Sequence, residues 1–380
     1  MRILHVTDHY LPVLGGIETH VAALARRQAG RGDAVTVLTS SPATADGQHH
    51  EDTGPVTIRR VRSLGEGLRV DFRAFDVVHA HSSVVAPFSA PLAALAARRG
   101  APTVVTLHSL WDGLGPLPAA FAGVVGLRSA PVLWTAVSRV AADQLARRLP
   151  RHCHVQVLPN AVEVPPRAYS PATGRSSTVT DTPVRLVSTM RIARRKRPLQ
   201  LLAMFDQLRR SVATPVHLTV VGDGPLRPRL DRQIVRAGLQ DAVTVTGRVH
   251  PDRVPRLLAG SDLYVAPAVL ESFGLAALEA RCVGLPVVGH AASGMSDFVR
   301  HGVEGMLCRT DADMVDRLRE LVVDADLRHL MSEHNRIVCS PMTWASAMLQ
   351  HDATYARARS ATPALTSSRS SRWLQAVGDR

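Results

Sequence analysis

The chain has 380 residues, 46% hydrophobic and 20% charged, with a formal net charge of +13. That length predicts two domains rather than one core, and the hydrophobic content excludes a largely disordered chain. Aromatic residues are only 4% of the total, which favours helices on parallel sheets over a β-sandwich, and no basic run is interleaved with stacking aromatics, which argues against nucleic acid as a partner.

In chain order, short β-branched runs alternate with helical patterns, the signature of βαβ units. The first half predicts strands at 2–7, 34–39, 76–80, 103–107, 133–137 and 155–158, with helices at 18–31 and 84–99. The N-terminus reads as a strand and lacks the long apolar run of a signal peptide. The longest apolar stretch, 117–127, is too short to span a bilayer and reads first as a buried helix, second as a surface that dips into lipid. Residues 165–183 are rich in Pro, Ser, Thr and Gly and read as a linker. A second αβ series then predicts strands at 184–189, 216–221, 242–246, 262–266 and 286–289, with helices at 197–211, 273–282, 311–323 and 343–359. The Ser/Thr/Arg-rich stretch 360–380 reads as a tail. The fold expected is α/β, two Rossmann-like domains (1–164 and 184–342) facing across a cleft formed at the carboxyl ends of their strands.

Cysteines 153, 282, 308 and 339 are far apart and form no CxxC pair, so neither a zinc site nor a disulfide framework is expected, consistent with a reducing cytosol. Two Asp-x-Asp pairs, Asp311/Asp313 and Asp324/Asp326, fall in helical stretches and read as surface acids away from the cleft, so no metal site is expected.

Five segments are candidates for chemistry. Leu14-Gly15-Gly16-Ile17-Glu18 follows the first strand; paired glycines there let a ligand approach the amides of the next helix, or simply make a tight turn. His108 ends the fourth predicted strand, where it is either a cleft residue or a structural one. The run Arg191 to Lys196 follows the first strand of the second series, as a diphosphate-neutralising loop or as a solvated basic loop. Lys196 is the single lysine among 45 basic residues, and arginine's planar fork does not reproduce its compact ammonium. Gly222-Asp223-Gly224-Pro225 makes a strand-ending turn that fits a nucleotide cleft or any αβ connection. Glu271-Ser272-Phe273-Gly274-Leu275 leads to Glu279; Ser272 is expected to cap a helix, with Glu279 about two turns in and on the same side as Glu271. The alternative is a capping acid plus a surface acid.

Taken together and in this order, these motifs resemble the family-4 glycosyltransferases, which have the GT-B architecture. The resemblance runs from Met1 to about Arg359. It implies that Glu271 binds the donor sugar's hydroxyls, Glu279 the nucleotide ribose, and Arg191 and Lys196 the donor phosphates. It also implies donor-side roles for Gly15, Gly16, Gly222, Gly224, Ser272, Phe273, Gly274 and Leu275. His108 lies in the cleft, Arg248 and Val249 approach the base, and the helix at 343–359 packs back onto the first domain. Where the family has glycine before the phosphate-binding Arg and after the Lys, this chain has Met190 and Arg197. The family's Asn-Gly-Val-Asp and Gly-Gly-x-x-Glu elements appear as Asn160 to Glu163 and Ser293 to Asp297.

The function implied is metal-independent hexosyl transfer with retention. It takes a nucleotide-sugar donor as co-substrate and no other cofactor, with GDP-mannose ahead of a UDP-sugar. The acceptor is a lipid, glycan or small molecule. A cytoplasmic location is expected, with peripheral contact to an anionic membrane through the basic surface at Arg147, Arg148 and Arg151. A sugar-nucleotide epimerase on the same fold, and a catalytically silent sugar- or lipid-binding protein, are the rival readings.

Overall fold

A computed structural model describes residues 1–13, 15–42, 54–83, 86–111, 117–163, 182–338 and 340–362. The expected linker up to residue 181, and the expected tail beyond 362, lie outside the described residues. The described residues form two compact units, one drawn from Met1–Thr106, Pro116–Trp134 and His351–Arg380, the other from Leu107–Gly115 and Thr135–Gln350.

The first sheet has seven strands: β1 (Arg2–Thr7), β2 (Ala34–Thr39), β3 (Val56–Arg60), β4 (Val77–Ser82), β5 (Thr103–Leu107), β6 (Leu133–Ala136) and β7 (Val155–Val157). Their order is β3-β2-β1-β4-β5-β6-β7, and β1 runs parallel to both β2 and β4. Every residue of β1 after Arg2 is buried, as a central strand covered on both faces requires. The helices among these strands are α1 (Gly16–Gly30), α2 (Leu64–Gly67), α3 (Ser89–Arg98), α4 (Leu117–Val124) and α5 (Arg139–Ala146). The carboxylate of Asp8, just past β1, caps α3 by accepting from the Phe88 and Ser89 amides at 2.8 and 3.2 Å.

Helix α4 corrects one expectation. The stretch was read as a buried helix, yet Leu117 is 71% and Val124 87% exposed. Among the side chains described in it Ala122 is the buried one, and so small a side chain offers little area to hold an apolar helix inside.

The polar centre of the first unit is closed by hydrogen bonds. His5 Nε2 donates to Gln28 Oε1 at 2.7 Å, so in a neutral ring His5 Nδ1 accepts from His81 Nε2 at 3.0 Å. The Tyr355 hydroxyl accepts from Gln28 Nε2 at 3.1 Å and donates to His79 Nδ1 at 2.9 Å. His79 Nε2 then donates to Thr106 Oγ1 at 2.6 Å. Burial lowers His5 to about 4, which keeps this ring uncharged.

The second sheet contains β8 (Val184–Thr189), β9 (Val216–Val221), β10 (Val243–Gly247), β11 (Leu263–Ala266), β12 (Val287–His290) and β13 (Gly305–Cys308). Its order is β10-β9-β8-β11-β12-β13, with every neighbouring pair parallel. The helices that follow in the chain are α6 (Pro198–Ser211), α7 (Arg227–Arg236), α8 (Val254–Ala259), α9 (Leu275–Cys282), α10 (Asp311–Val323), α11 (Ala325–Ile337) and α12 (Trp344–Ala361). Strand alternation divides the core. Leu186, Leu263 and Val265 pack with α6 and α10, while Val187, Tyr264 and Val287 pack with α9. The order reverses between β8 and β11, and ligands of open parallel sheets bind at the carboxyl ends of strands at such a point.

Tyr355, from the last turns of α12, belongs to the first unit's core with Ile3, Val21 and Val77. Tyr355→Phe deletes the hydroxyl that joins Gln28 to His79, and should cost roughly 1–3 kcal/mol because those partners are buried. Urea denaturation should show a lower midpoint at unchanged slope; an unmoved midpoint would remove the network from the stability of this unit.

Candidate active site

The segment after β8 is shaped by its neighbour. Met190 and Ile192 amides donate to the Val221 and Asp223 carbonyls at 2.9 and 2.8 Å, so the ends of β8 and β9 run together. Gly222 has φ +136, and a Cβ on it would lie 1.9 Å from the Met190 carbonyl oxygen. On Gly224 a Cβ would lie 2.6 Å from that of Ile192. These glycines therefore hold the backbone around Arg191 by close approach, a packing task in addition to the donor-side one expected of them. The Arg191 side chain is exposed and makes no hydrogen bond or ion pair among the described residues. Arg194–Lys196 form one tight turn of 3₁₀-helix.

Lys196 Nζ forms an ion pair with Glu271 Oε2. Lys196 follows β8 and Glu271 follows β11, so the pair stands where the sheet reverses its order. Tyr264 is the second residue of β11. It is fully buried, its hydroxyl donates to the Thr189 carbonyl at 3.2 Å, and burial raises it far above the ordinary phenol range. The charges of Glu279 and Glu271 add to that rise, which puts both carboxylates within electrostatic reach of one hydroxyl.

Ser272 does not cap α9. Its Oγ donates instead to the His108 carbonyl at 2.6 Å, which ties the segment after β5 to the segment after β11. The N-cap of α9 is Gly274 at φ +97, with no side-chain cap, so the first amides of the helix are left for another acceptor. The chain from Glu271 to Gly274 is non-helical, and Glu279 is the fifth residue of α9 rather than two turns in. Helical periodicity therefore does not relate the two carboxylates; the turn between them does. A Cβ on Gly294 would lie 2.1 Å from the Ser272 carbonyl, and Gly294 N donates to Glu271 O at 2.8 Å, so a second loop clamps that turn. Phe273 is buried against Phe298 with ring centres 5.5 Å apart, and Leu275 is half-buried on the same core.

Glu279 is half-buried, has no hydrogen-bond or ion-pair partner among the described residues, and is raised by burial to about 7. Gly247 at φ +72 turns the chain so that Arg248 is exposed and Val249 half-buried beside the α9 core. His108 is buried just past β5. Gly15 and Gly16 stand in the first unit at the start of α1. Gly15 has extended backbone, and a Cβ there would lie 2.3 Å from Glu18 Oε2, the movable end of a side chain, so neither its φ nor this approach requires glycine.

Three residues outside the sequence-derived set belong to this region. The Arg197 guanidinium donates to Asp311 at 2.8 and 2.6 Å and to the Pro267 carbonyl at 3.0 Å, beside His290. Asp311, read as a surface acid remote from the strands, is thereby corrected: it begins α10 after β13 and is engaged at the sheet's carboxyl end. Asp313 accepts from the Arg309 amide and from Arg317, and Asp324 caps α11. Elsewhere, nitrogens of His5, His79 and His81 lie within 4.8 Å of one another, but the neutral network already uses these rings.

Two family models match the chain, "Glycosyl transferases group 1" over residues 173–338 and "Glycosyltransferase Family 4" over 14–164. The chain belongs to the family-4 glycosyltransferases. Among curated family members, the 2-deoxystreptamine N-acetyl-D-glucosaminyltransferase of Streptomyces fradiae is 33% identical over 67% of this chain and 64% of its own length. The α-D-kanosaminyltransferase of Streptomyces kanamyceticus is 33% identical over 30% of each chain. The match thus spans less than two thirds of either relative. The GDP-mannose-dependent α-(1-6)-phosphatidylinositol monomannoside mannosyltransferase of Mycobacterium tuberculosis is 26% identical over 94% of this chain and 96% of its own. Among solved structures, Anabaena HepE with UDP and glucose aligns with a TM-score of 0.75 at 19% identity, covering 94% of this chain and 99% of that one. Sucrose-phosphate synthase of Thermosynechococcus elongatus gives 0.74 at 18%, covering 95% and 99%. At these identities the structures establish the GT-B fold alone.

Glu279 makes a prediction independent of substrate. Its folded value near 7 lies above the ordinary carboxyl value of 4.5, so stability falls as pH rises between the two and levels off above. Glu279→Gln should therefore be neutral near pH 4 and stabilising by about 3 kcal/mol near pH 8. Thermal unfolding of both proteins across that range is the check, and a pH-independent difference would show that the carboxyl is not shifted.

Proposed function

We propose that the protein is a retaining hexosyltransferase that moves a hexose from a nucleoside-diphosphate sugar to an acceptor hydroxyl. The observation that carries this reading is the Lys196–Glu271 pair at the reversal of the second sheet, with Arg191 exposed in the loop that carries Lys196 and the uncapped helix α9 starting four residues after Glu271. In this reading the bond between the anomeric carbon and the diphosphate oxygen breaks as the acceptor oxygen attacks from the same face. The departing phosphate takes the acceptor proton. Arg191, Lys196 and the amides after Gly274 stabilise the charge that grows on the diphosphate. Glu271 holds sugar hydroxyls, Glu279 the ribose, and Arg248 and Val249 border the base. Gly15, Gly16 and His108 keep the roles that the family resemblance implies for them.

Metal-independent chemistry is supported by how the carboxylates are used. Asp311 and Asp313 are engaged by Arg197 and Arg317, and a set of fixed cations takes the place of a divalent ion. Turnover that survives EDTA is the expected result; loss with EDTA and recovery with magnesium would overturn it. GDP-mannose is favoured as donor because the mycobacterial relative named for it matches nearly end to end. A UDP-sugar is next. The acceptor is a lipid, glycan or small molecule, and relatives acting on a phosphatidylinositol mannoside and on 2-deoxystreptamine span that range. Among the described residues no helix is long and apolar enough to cross a membrane. Peripheral contact through Arg147, Arg148 and Arg151 is testable by co-sedimentation with anionic and neutral vesicles at two salt concentrations.

Lys196→Ala should lower kcat by roughly 100- to 1000-fold with the fold retained, the scale of losing one transition-state donor. Near-wild-type turnover would refute the phosphate role. Glu271→Gln should lower kcat, whereas Glu279→Gln should chiefly raise the donor KM. Deprotonated Glu279 is the better acceptor for ribose hydroxyls, so donor affinity should rise from pH 6 to pH 8 in the wild type and stay flat in Glu279→Gln. Incubating donor without acceptor separates transfer from epimerisation, since only an epimerase alters the sugar under those conditions.

A further inference from the structure

Arg197 has φ +56 and ψ +46, and it is the one non-glycine residue with positive φ among the described residues. L-residues avoid that region, so the surroundings must hold the residue there. The holding contacts are specific. Both terminal nitrogens of Arg197 reach Asp311, at 2.8 and 2.6 Å, in the two-pronged geometry that arginine makes with carboxylate. Nη1 also donates to the Pro267 carbonyl at 3.0 Å and lies 3.2 Å from His290 Nε2. The carboxyl of Asp311 is held below its usual range by this arginine.

The consequence reaches both members of the ion pair described above. Lys196 immediately precedes Arg197, and Glu271 follows Pro267 by four residues. One guanidinium therefore fastens the loop that carries the cation, the loop that carries the carboxylate, the end of β12 through His290 and the start of α10 through Asp311. Lysine has four rotatable side-chain bonds and is a point charge, so its backbone anchor decides where the ammonium can go. We propose that Arg197 and Asp311 are positioning residues, a brace that fixes Lys196 against the donor diphosphate. The proposal rests on the phosphate role of Lys196.

A double-mutant cycle tests it, with turnover and nucleoside-diphosphate binding measured for wild type, Lys196→Ala, Asp311→Ala and the double variant. The brace predicts that Asp311→Ala alone lowers kcat about tenfold and weakens binding of the diphosphate. It also predicts that in the Lys196→Ala background the same change does nothing further. Asp311→Asn, which keeps the shape and one acceptor oxygen, should fall between Asp311→Ala and wild type, and it serves if the alanine variant folds poorly. Effects that multiply in the double variant, or an Asp311→Ala enzyme with full kcat, overturn the brace while leaving the phosphate role intact. A fully active Lys196→Ala enzyme overturns both. A purely structural Asp311 would shift melting temperature equally in both backgrounds without the kinetic convergence.

Discussion

The site depends on two opposite charges held at the ends of neighbouring strands where the second sheet turns back on itself. Lys196 stands after β8 and Glu271 after β11, and their ion pair is partly exposed. Such pairs contribute about 0–1 kcal/mol to stability, so stability does not account for the arrangement. What the fold supplies is position. The loop of Lys196 is pressed to the end of β9 by Gly222 and Gly224, and that of Glu271 is clamped by Gly294. Each glycine permits a backbone approach that any Cβ would block. The pair is thus fixed by the main chain before any ligand arrives, as preorganised electrostatic stabilisation requires.

Much of this was legible in the sequence because the second series has strong local signals. Strands β8 and β9 and helix α10 fall where the pattern put them, and the fold class follows from their alternation. Two strands escaped. The edge strand β3 alternates half-buried with exposed residues, and β13 has four residues, Gly305 among them, too few to establish a period. Helix α7 escaped because its charged sequence buries only Leu230 and Ile234. At the candidate site, motif order singled out Lys196, Glu271 and Glu279. Ser272 was misread because a serine before a helix resembles a cap, whereas the turn through Gly274 sends its hydroxyl to His108. Arg197 and Asp311 were out of reach. They are 114 residues apart, and a basic composition makes one more arginine uninformative.

The two units treat buried polar groups differently. In the first, Gln28, His79, Thr106 and Tyr355 pass hydrogen bonds along in one consistent direction and no charge is needed. This is the satisfied kind of polar core, which rigidifies and specifies packing. In the second, Glu279 is left without a partner at a depth that raises it to about 7. A chain selected for stability alone would place a neutral side chain there, since the ionised form costs free energy with no compensating bond.

Departures from local rules cluster rather than scatter. A left-handed arginine, a partnerless carboxyl, an uncapped helix and a glycine turn that tolerates no side chain all lie at the carboxyl end of the second sheet. Each is individually unfavourable, and each becomes useful in the presence of one anionic, hydroxyl-bearing ligand. In the proposed reading the helix amides and Lys196 take the diphosphate, Glu279 takes ribose hydroxyls, and the brace at Arg197 holds the cation in place. These unmet needs suit a ligand that carries negative charge and hydroxyls, the chemistry of the proposed donor. In the proposed reading the two carboxylates divide the donor's hydroxyls between them, Glu271 just before the helix serving the sugar and Glu279 inside it the ribose.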